Sequence, residues 1–232
     1  MIVTLRYVFL LLVVQLAVAC SPAAPSAEAP DNRPAANAET ARQAEDARLV
    51  LTFGDSLYAG YQLEQNQGFA PALQRALEAQ GIAARVVNGG VSGDTTAAAR
   101  QRLAFTLDGL ERRPDLVLVG LGGNDALRGL GPDETRANLA AILAELRQRD
   151  IPVLVTGMMA PRNMGPDYAA RFDPIFQELA REHDAALYPF LLDGVITEPM
   201  LLLPDGIHPN ADGVNAIVAR LAPDVARLLG AP

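Results

Sequence analysis

In this 232-residue chain, three residue types lie at spacings that suit nucleophilic attack on a carbonyl. The chain has only two histidines. His183 follows Arg181-Glu182 at the end of a polar stretch, where a solvated imidazole near a helix C-terminus is the ordinary outcome. His208 stands in Asp205-Gly206-Ile207-His208-Pro209-Asn210. A carboxylate three residues ahead of an imidazole reaches its Nδ1–H when the backbone turns, which leaves Nε2 free to act as a base. The competing reading of this segment is a capping loop before a helix.

A base needs a nucleophile, and Gly54-Asp55-Ser56-Leu57 offers one. A serine at a strand-to-helix turn can present its hydroxyl at a sheet edge, and the helix start beyond it favours negative charge. The alternative is a serine N-cap. The spacing differs from the G-x-S-x-G nucleophile elbow. Two further loops supply donors. In 88–95, NGGVSGDT, glycines allow a sharp turn, and the Gly93 N–H can face a developing oxyanion; Asp94 or Thr95 can also cap the next helix. In 122–125, GGND, Asn124 carries a side-chain N–H, or else adopts a turn conformation. Each piece is common on its own. Together they provide nucleophile, base, orienting acid and two or three oxyanion donors, the set needed for acyl transfer by a serine.

These residues need a frame to bring them together. Short apolar runs at 49–53, 84–87, 116–121, 153–156 and, more weakly, 185–188 lack polar alternation, as buried parallel strands do. Helical stretches are expected near 69–80, 95–112, 133–149, 168–183 and 211–229. The alternation predicts an α/β fold: a three-layer α/β/α sandwich on a mainly parallel five-stranded sheet. In such sheets chemistry sits at the carboxyl ends of the strands, where the loops above fall.

The first 48 residues read differently. Residues 1–19 are expected to be a signal peptide: Arg6, a 13-residue apolar run from Tyr7, then Ala17-Val18-Ala19 as a cleavage signature. The sole cysteine, Cys20, follows at once and resembles the lipidated cysteine of a bacterial lipobox, with Leu16 one place early. Ordinary cleavage with a free Cys20 is the alternative. The Ala/Pro-rich stretch through 48 is expected to be a disordered tether, and 49–232 the catalytic domain. An exported enzyme is thus expected, on the periplasmic face of a membrane through its lipid or else soluble outside the cytoplasm.

Composition removes several classes. Every basic residue is arginine, which excludes a Walker A phosphate loop and a lysine Schiff base. One cysteine excludes an internal disulfide, and with two histidines it leaves too few ligands for structural zinc. Nineteen basic against 27 acidic residues, a net charge of −8, speak against nucleic acid as a partner. A monomer acting on a small-molecule ester is expected from the acyl-transfer set, and the resemblance described next implies lipid esters as well.

The blocks resemble those of the GDSL/SGNH hydrolase superfamily, over about residues 49–229. They are similar in particular to the bacterial branch of thioesterase I, lysophospholipase and arylesterase, in GDSLYAGY (54–61), VVN (86–88), SGDTT (92–96), LGGNDALRG (121–129) and DGIHPN (205–210). The resemblance implies the flavodoxin-like SGNH fold, with Ser56 as nucleophile, His208 as base and then acid, and Asp205 orienting it. It implies an oxyanion hole of the Ser56 and Gly93 N–H groups and the Asn124 side chain, and neither metal nor cofactor. Asp55, Asp94 and Asp125 are expected to brace loops, Asp55 closest to substrate. Leu127, Leu130, Met158, Met159 and Met164 are candidate acyl-groove lining, Met158 equally a core residue. Arg128 contacts a phosphate or covers the loop with its stem. Aryl esters, short-to-medium acyl esters and lysophospholipids are the expected substrates, with acyl thioesters a further possibility. The alternatives are a polysaccharide O-acetyl esterase, disfavoured by the absence of tryptophan, and a catalytically dead binding protein.

Overall fold

The computed structural model describes residues 47–230; the signal, the cysteine and the tether up to residue 46 lie outside them, while Arg48, which was given to the tether, opens the first strand. Five strands form one sheet in the order β2-β1-β3-β4-β5. They are β1 (Arg48–Gly54), β2 (Ala84–Gly90), β3 (Leu116–Gly120), β4 (Val153–Thr156) and β5 (Ala186–Tyr188). Every pairing between them is parallel. β3 is buried along its whole length and β1 in all but its first residue. That burial on both faces is what an unbroken apolar run requires.

The helices are α1 (Ser56–Ala59), α2 (Phe69–Ala79), α3 (Thr96–Asp108), α4 (Gly123–Leu127), α5 (Pro132–Gln148), α6 (Pro166–Phe172), α7 (Ile175–Glu182) and α8 (Ala211–Leu228). α2 packs with α8, while α5 packs with α3, α6 and α7. The chain leaves β1 in one direction to reach β2 and in the other to reach β3, β4 and β5. Crossovers of one hand therefore place the two helix groups on opposite faces. The expected α/β/α sandwich results, and the order reverses between β1 and β3, the switch point where such sheets bind ligands.

Three local differences from the sequence expectation have physical causes. The helix expected at 168–183 is two helices, because Pro174 brings no backbone N–H and the chain turns there. β2 runs on through Asn88-Gly89-Gly90, which read as a turn; bare glycines pair with Phe53 and Gly54 in register. α1 and α4 are single turns of four and five residues, too short to show periodicity.

α1 is pinned from below. Gly54 and Gly120 end β1 and β3 side by side in register, and the ring of Tyr58 fills the slot above them. Tyr58 is fully buried, and its hydroxyl lies 2.9 Å from Thr156 Oγ1 on β4. Burial pushes its phenol well above the usual range, so it stays neutral. A Cβ on Gly120 would lie 2.8 Å from Tyr58 Cζ and 2.9 Å from Thr156 Oγ1. Neither group has room to yield. Gly120→Ala should therefore lower stability by about 1–3 kcal/mol, the usual range for overpacking. A urea midpoint equal to that of the parent would contradict the slot.

Candidate active site

Ser56 opens α1 just past the carboxyl end of β1, and its N-cap is Asp55, whose Oδ1 accepts from Leu57 N at 3.1 Å. The N-cap offered as the alternative role for Ser56 thus belongs to its neighbour, and the Ser56 hydroxyl is available elsewhere. It meets His208: Nε2 lies 2.9 Å from Ser56 Oγ, and Nδ1 lies 2.7 Å from Asp205 Oδ2. Asp205 Oδ1 also accepts from the backbone N–H groups of Ile207 (2.9 Å) and His208 (3.0 Å). The bond from the His208 N–H outweighs the opposing effect of partial burial, and Asp205 is held down at about 2. A carboxylate can only accept, so His208 Nδ1 carries the proton. Nε2 then presents a lone pair to the Ser56 hydroxyl.

The loop bearing His208 is itself held. An isolated antiparallel bridge joins Leu202 to Pro209, and Leu203 N donates to His208 O at 2.7 Å. Asn210 caps α8 by accepting from Gly213 N at 3.0 Å, while its Nδ2 donates to Met200 O at 2.8 Å. Asn210 was visible in the sequence only as the residue after a proline. Its side chain joins the 200–202 segment to the helix that follows.

The donor side comes from the loops after β2 and β3. Asn124, in the first turn of α4, donates through Nδ2 to Asp94 O at 3.0 Å, and the same nitrogen lies 3.5 Å from Asp55 Oδ2. Its amide therefore bridges the segment containing Gly93 and the segment containing Ser56. Gly93 takes φ +86, a left-handed conformation that side chains rarely adopt. Among the described residues, neither the Ser56 nor the Gly93 backbone N–H has a protein acceptor. Arg128, which the sequence offered as a phosphate contact or a covering stem, donates to Gly93 O at 2.7 Å. Two side chains of the α4 segment thus hold successive carbonyls of the 93–94 loop.

The flanking acids are struts. Asp125 is 1% exposed and receives the Thr96 N–H at 2.9 Å and the Thr96 hydroxyl at 2.5 Å, tying α4 to the start of α3. Thr95, not Asp94, is the N-cap of α3. Asp94 pairs with Arg102 at 2.6 Å, and Arg102 also donates to Gly89 O and Gly54 O at 2.9 Å each. Its guanidinium lies 4.3 Å above the Phe53 ring centroid. Nothing in the sequence singles out Arg102, yet it clamps the ends of β1 and β2.

The apolar candidates separate. Leu127 and Met159 are exposed, Leu130 and Met164 half-buried, and Leu130 O accepts from Tyr168 OH at 2.8 Å. Met158 is only 5% exposed, with its methyl 3.9 Å from where a Gly123 Cβ would stand. Of its two readings it takes the core one, as a floor beneath α4. His183 caps the C-terminus of α7, as expected.

Residues 52–216 match the GDSL-like lipase/acylhydrolase family. The chain belongs to that family. It is an esterase of the SGNH type. It is 37% identical over 183 residues to the esterase TesA of Pseudomonas aeruginosa, covering 79% of this chain and 90% of the relative. It is 36% identical over 189 residues to the arylesterase of Vibrio mimicus, covering 82% and 92%. Among solved structures, the SGNH-hydrolase family esterase AlinE4 matches at 48% identity and a TM-score of 0.68, over 78% of this chain and 96% of that one.

Asp55 is 2% exposed. Burial raises its carboxyl to about 6, aided by Asp125 and Asp94 and opposed by the Leu57 N–H and His208. Below pH 4 both folded and unfolded chains hold the Asp55 proton. Between pH 4 and 6 the unfolded chain releases it first, so stability falls as pH rises through that window, and the cost persists above it. Asp55→Asn should therefore stabilise the fold at pH 7, by about 1–3 kcal/mol, and the gain should disappear near pH 4. Urea unfolding at the two pH values reads this directly; a gain independent of pH would contradict it.

Proposed function

We propose that the protein is a serine esterase that cleaves carboxylic esters through an acyl-enzyme on Ser56. The observation that supports this is the unbroken chain from Ser56 Oγ through His208 to Asp205, at 2.9 and 2.7 Å. As Ser56 Oγ attacks the ester carbonyl, its proton passes to His208 Nε2, and Asp205 stabilises the imidazolium. The carbonyl oxygen becomes an oxyanion that accepts from the Ser56 and Gly93 N–H groups and from Asn124 Nδ2. Collapse breaks the bond to the leaving alkoxide, which takes the proton from His208. Water then attacks the acyl-enzyme, again losing its proton to His208, and the acid is released with Ser56 restored.

Aryl esters, short-to-medium acyl esters and lysophospholipids are the proposed substrates, with acyl thioesters as a further class. The exposed Leu127 and Met159, with half-buried Leu130 and Met164, are the proposed acyl contacts. Met164 lies 3.7 Å from the position of a Gly129 Cβ, so the two loops can share one groove. Flexible methionine suits acyl chains of differing length. Asp55 borders this site without touching the reacting atoms.

Export through residues 1–19 and lipid attachment at Cys20 belong to the same proposal. β1 begins at Arg48, and Ser56 follows its far end, so Arg48 and the site lie at opposite ends of one strand. Seven extended residues separate the two ends by about 20 Å.

Ser56→Ala should abolish both ester hydrolysis and labelling by a fluorophosphonate. Retained hydrolysis would reject the reading. Asn124→Ala should slow turnover by about a hundredfold or more, since one oxyanion donor contributes about 2.7–4 kcal/mol, while the lost bond to Asp94 O should lower stability by only about 1 kcal/mol. A panel of nitrophenyl esters of graded length, lysophosphatidylcholine, acyl-CoA and acetylated sugars ranks the substrates. Preference for acetylated sugars would favour the O-acetyl esterase instead.

A further inference from the structure

The nitrogens of His208 are both engaged in the plane of the ring, Nδ1 by Asp205 and Nε2 by Ser56. In-plane hydrogen bonds fix where the ring sits. They resist tipping about the line through the two partners only weakly, because hydrogen-bond energy varies slowly over small angles. The face of the ring must be restrained by something else. Tyr61 lies on it: the two ring centroids are 4.4 Å apart, with the planes tilted by 36°. This separation is at the close end of the range for attractive ring pairs.

Tyr61 arrives there by a short, defined route. α1 begins at Ser56 and closes at Gly60, which takes φ +78. The N–H groups of Gly60 and Tyr61 both donate to the Ser56 carbonyl, the latter at 3.2 Å. Nucleophile and Tyr61 thus belong to a single hydrogen-bonded turn. The turn places the Ser56 hydroxyl at one edge of His208 and the Tyr61 ring against its face. The Tyr61 hydroxyl points elsewhere and accepts from Gln62 Nε2 at 3.1 Å. The contact with His208 is therefore made by the π face and is independent of the phenol.

We propose that Tyr61 is a positioning residue for the esterase reaction: its ring holds the His208 imidazole between Asp205 and Ser56 and stabilises the positive charge that the imidazole gains on taking the Ser56 proton. The negative face of an aromatic ring attracts a cation most when the cation lies over it, and here the cation is created in place during the chemical step. The stabilisation thus acts in the transition state more than in the ground state, which assigns it to kcat rather than KM. A partly exposed cation–π contact is equivalent to about two- to fivefold in rate, and loss of ring orientation adds to it. Tyr61 is 37% exposed, so its ring contributes little to the core, and its replacement leaves the fold standing.

The proposal rests on the reading of His208 as the base, and the test separates the two. Fluorophosphonate labelling of the parent, lost in Ser56→Ala, establishes the base-assisted nucleophile first; without it the underlying reading fails, whatever Tyr61 does. Tyr61→Phe and Tyr61→Leu are then compared. Tyr61→Leu should lower kcat on alkyl and aryl esters alike, and the rate of fluorophosphonate labelling, by about five- to twentyfold, with KM within about twofold. Tyr61→Phe should stay within about twofold of the parent in all three. In proton NMR the His208 ring resonances should carry an upfield ring-current shift in the parent and in Tyr61→Phe, absent in Tyr61→Leu. A leucine variant with parental kcat would overturn the proposal. So would a KM rise confined to aryl esters, which would make Tyr61 a platform for substrate. A phenylalanine variant as slow as the leucine one would transfer the role to the hydroxyl.

Discussion

The Ser56–His208 hydrogen bond joins residues 152 positions apart at 2.9 Å, and the rest of the structure is what makes that meeting possible. Closing so long a loop is entropically unfavourable, and one part-buried hydrogen bond contributes only about 1 kcal/mol toward it. The closure is therefore made by packing elsewhere. On the serine side, Tyr58 is locked into the slot over Gly54 and Gly120, so α1 cannot drift. On the histidine side, α8 packs along α2, and Asn210 fastens the start of α8 to the 200–202 segment. α2 follows α1 in the chain. The two ends of the hydrogen bond are thus set by neighbouring helices on one face of the sheet.

The donor side depends on a different principle. The Gly93 loop carries no core side chain of its own, and polar groups from outside hold its carbonyls. Asn124 and Arg128 engage Asp94 O and Gly93 O, while Asp125 and Arg102 anchor the surrounding helix starts and strand ends. Three acids, Asp55, Asp94 and Asp125, stand around this cluster, and for Asp55 this is costly, because its burial and the charges of the other two oppose its ionisation. Such a cost is typical of sites arranged for chemistry rather than for stability. Asp94 finds a guanidinium and Asp125 a set of hydroxyl and amide donors. Asp55 has no guanidinium partner, and burial raises its carboxyl to about 6.

How much of this the sequence disclosed depended on the range of the interaction. The strands were legible because burial on both faces demands unbroken apolar runs, and β4 falls where expected. Asp205 and His208 were legible because a three-residue spacing is local. Ser56, Gly93 and Asn124 were each ambiguous alone and gained meaning only as a set placed at strand ends. The extension of β2 through Gly89 and Gly90 was hidden because glycine signals a turn unless a neighbouring backbone is known to need the space. Arg102, Asn210 and Tyr61 were hidden for a stronger reason. Each acts by touching a segment remote in sequence or a ring face, and no spacing rule announces that. Met158 could be read two ways until its burial decided it.

The central claim is that chemistry passes through a covalent bond to Ser56. The most direct measurement is mass spectrometry of the protein acid-quenched during turnover of a nitrophenyl ester, followed by peptide mapping. The account predicts one acyl group per chain, on the peptide containing Ser56, at a level that rises and decays with substrate. An adduct on another residue, or hydrolysis at full rate with no adduct under conditions where deacylation is slow, would contradict it.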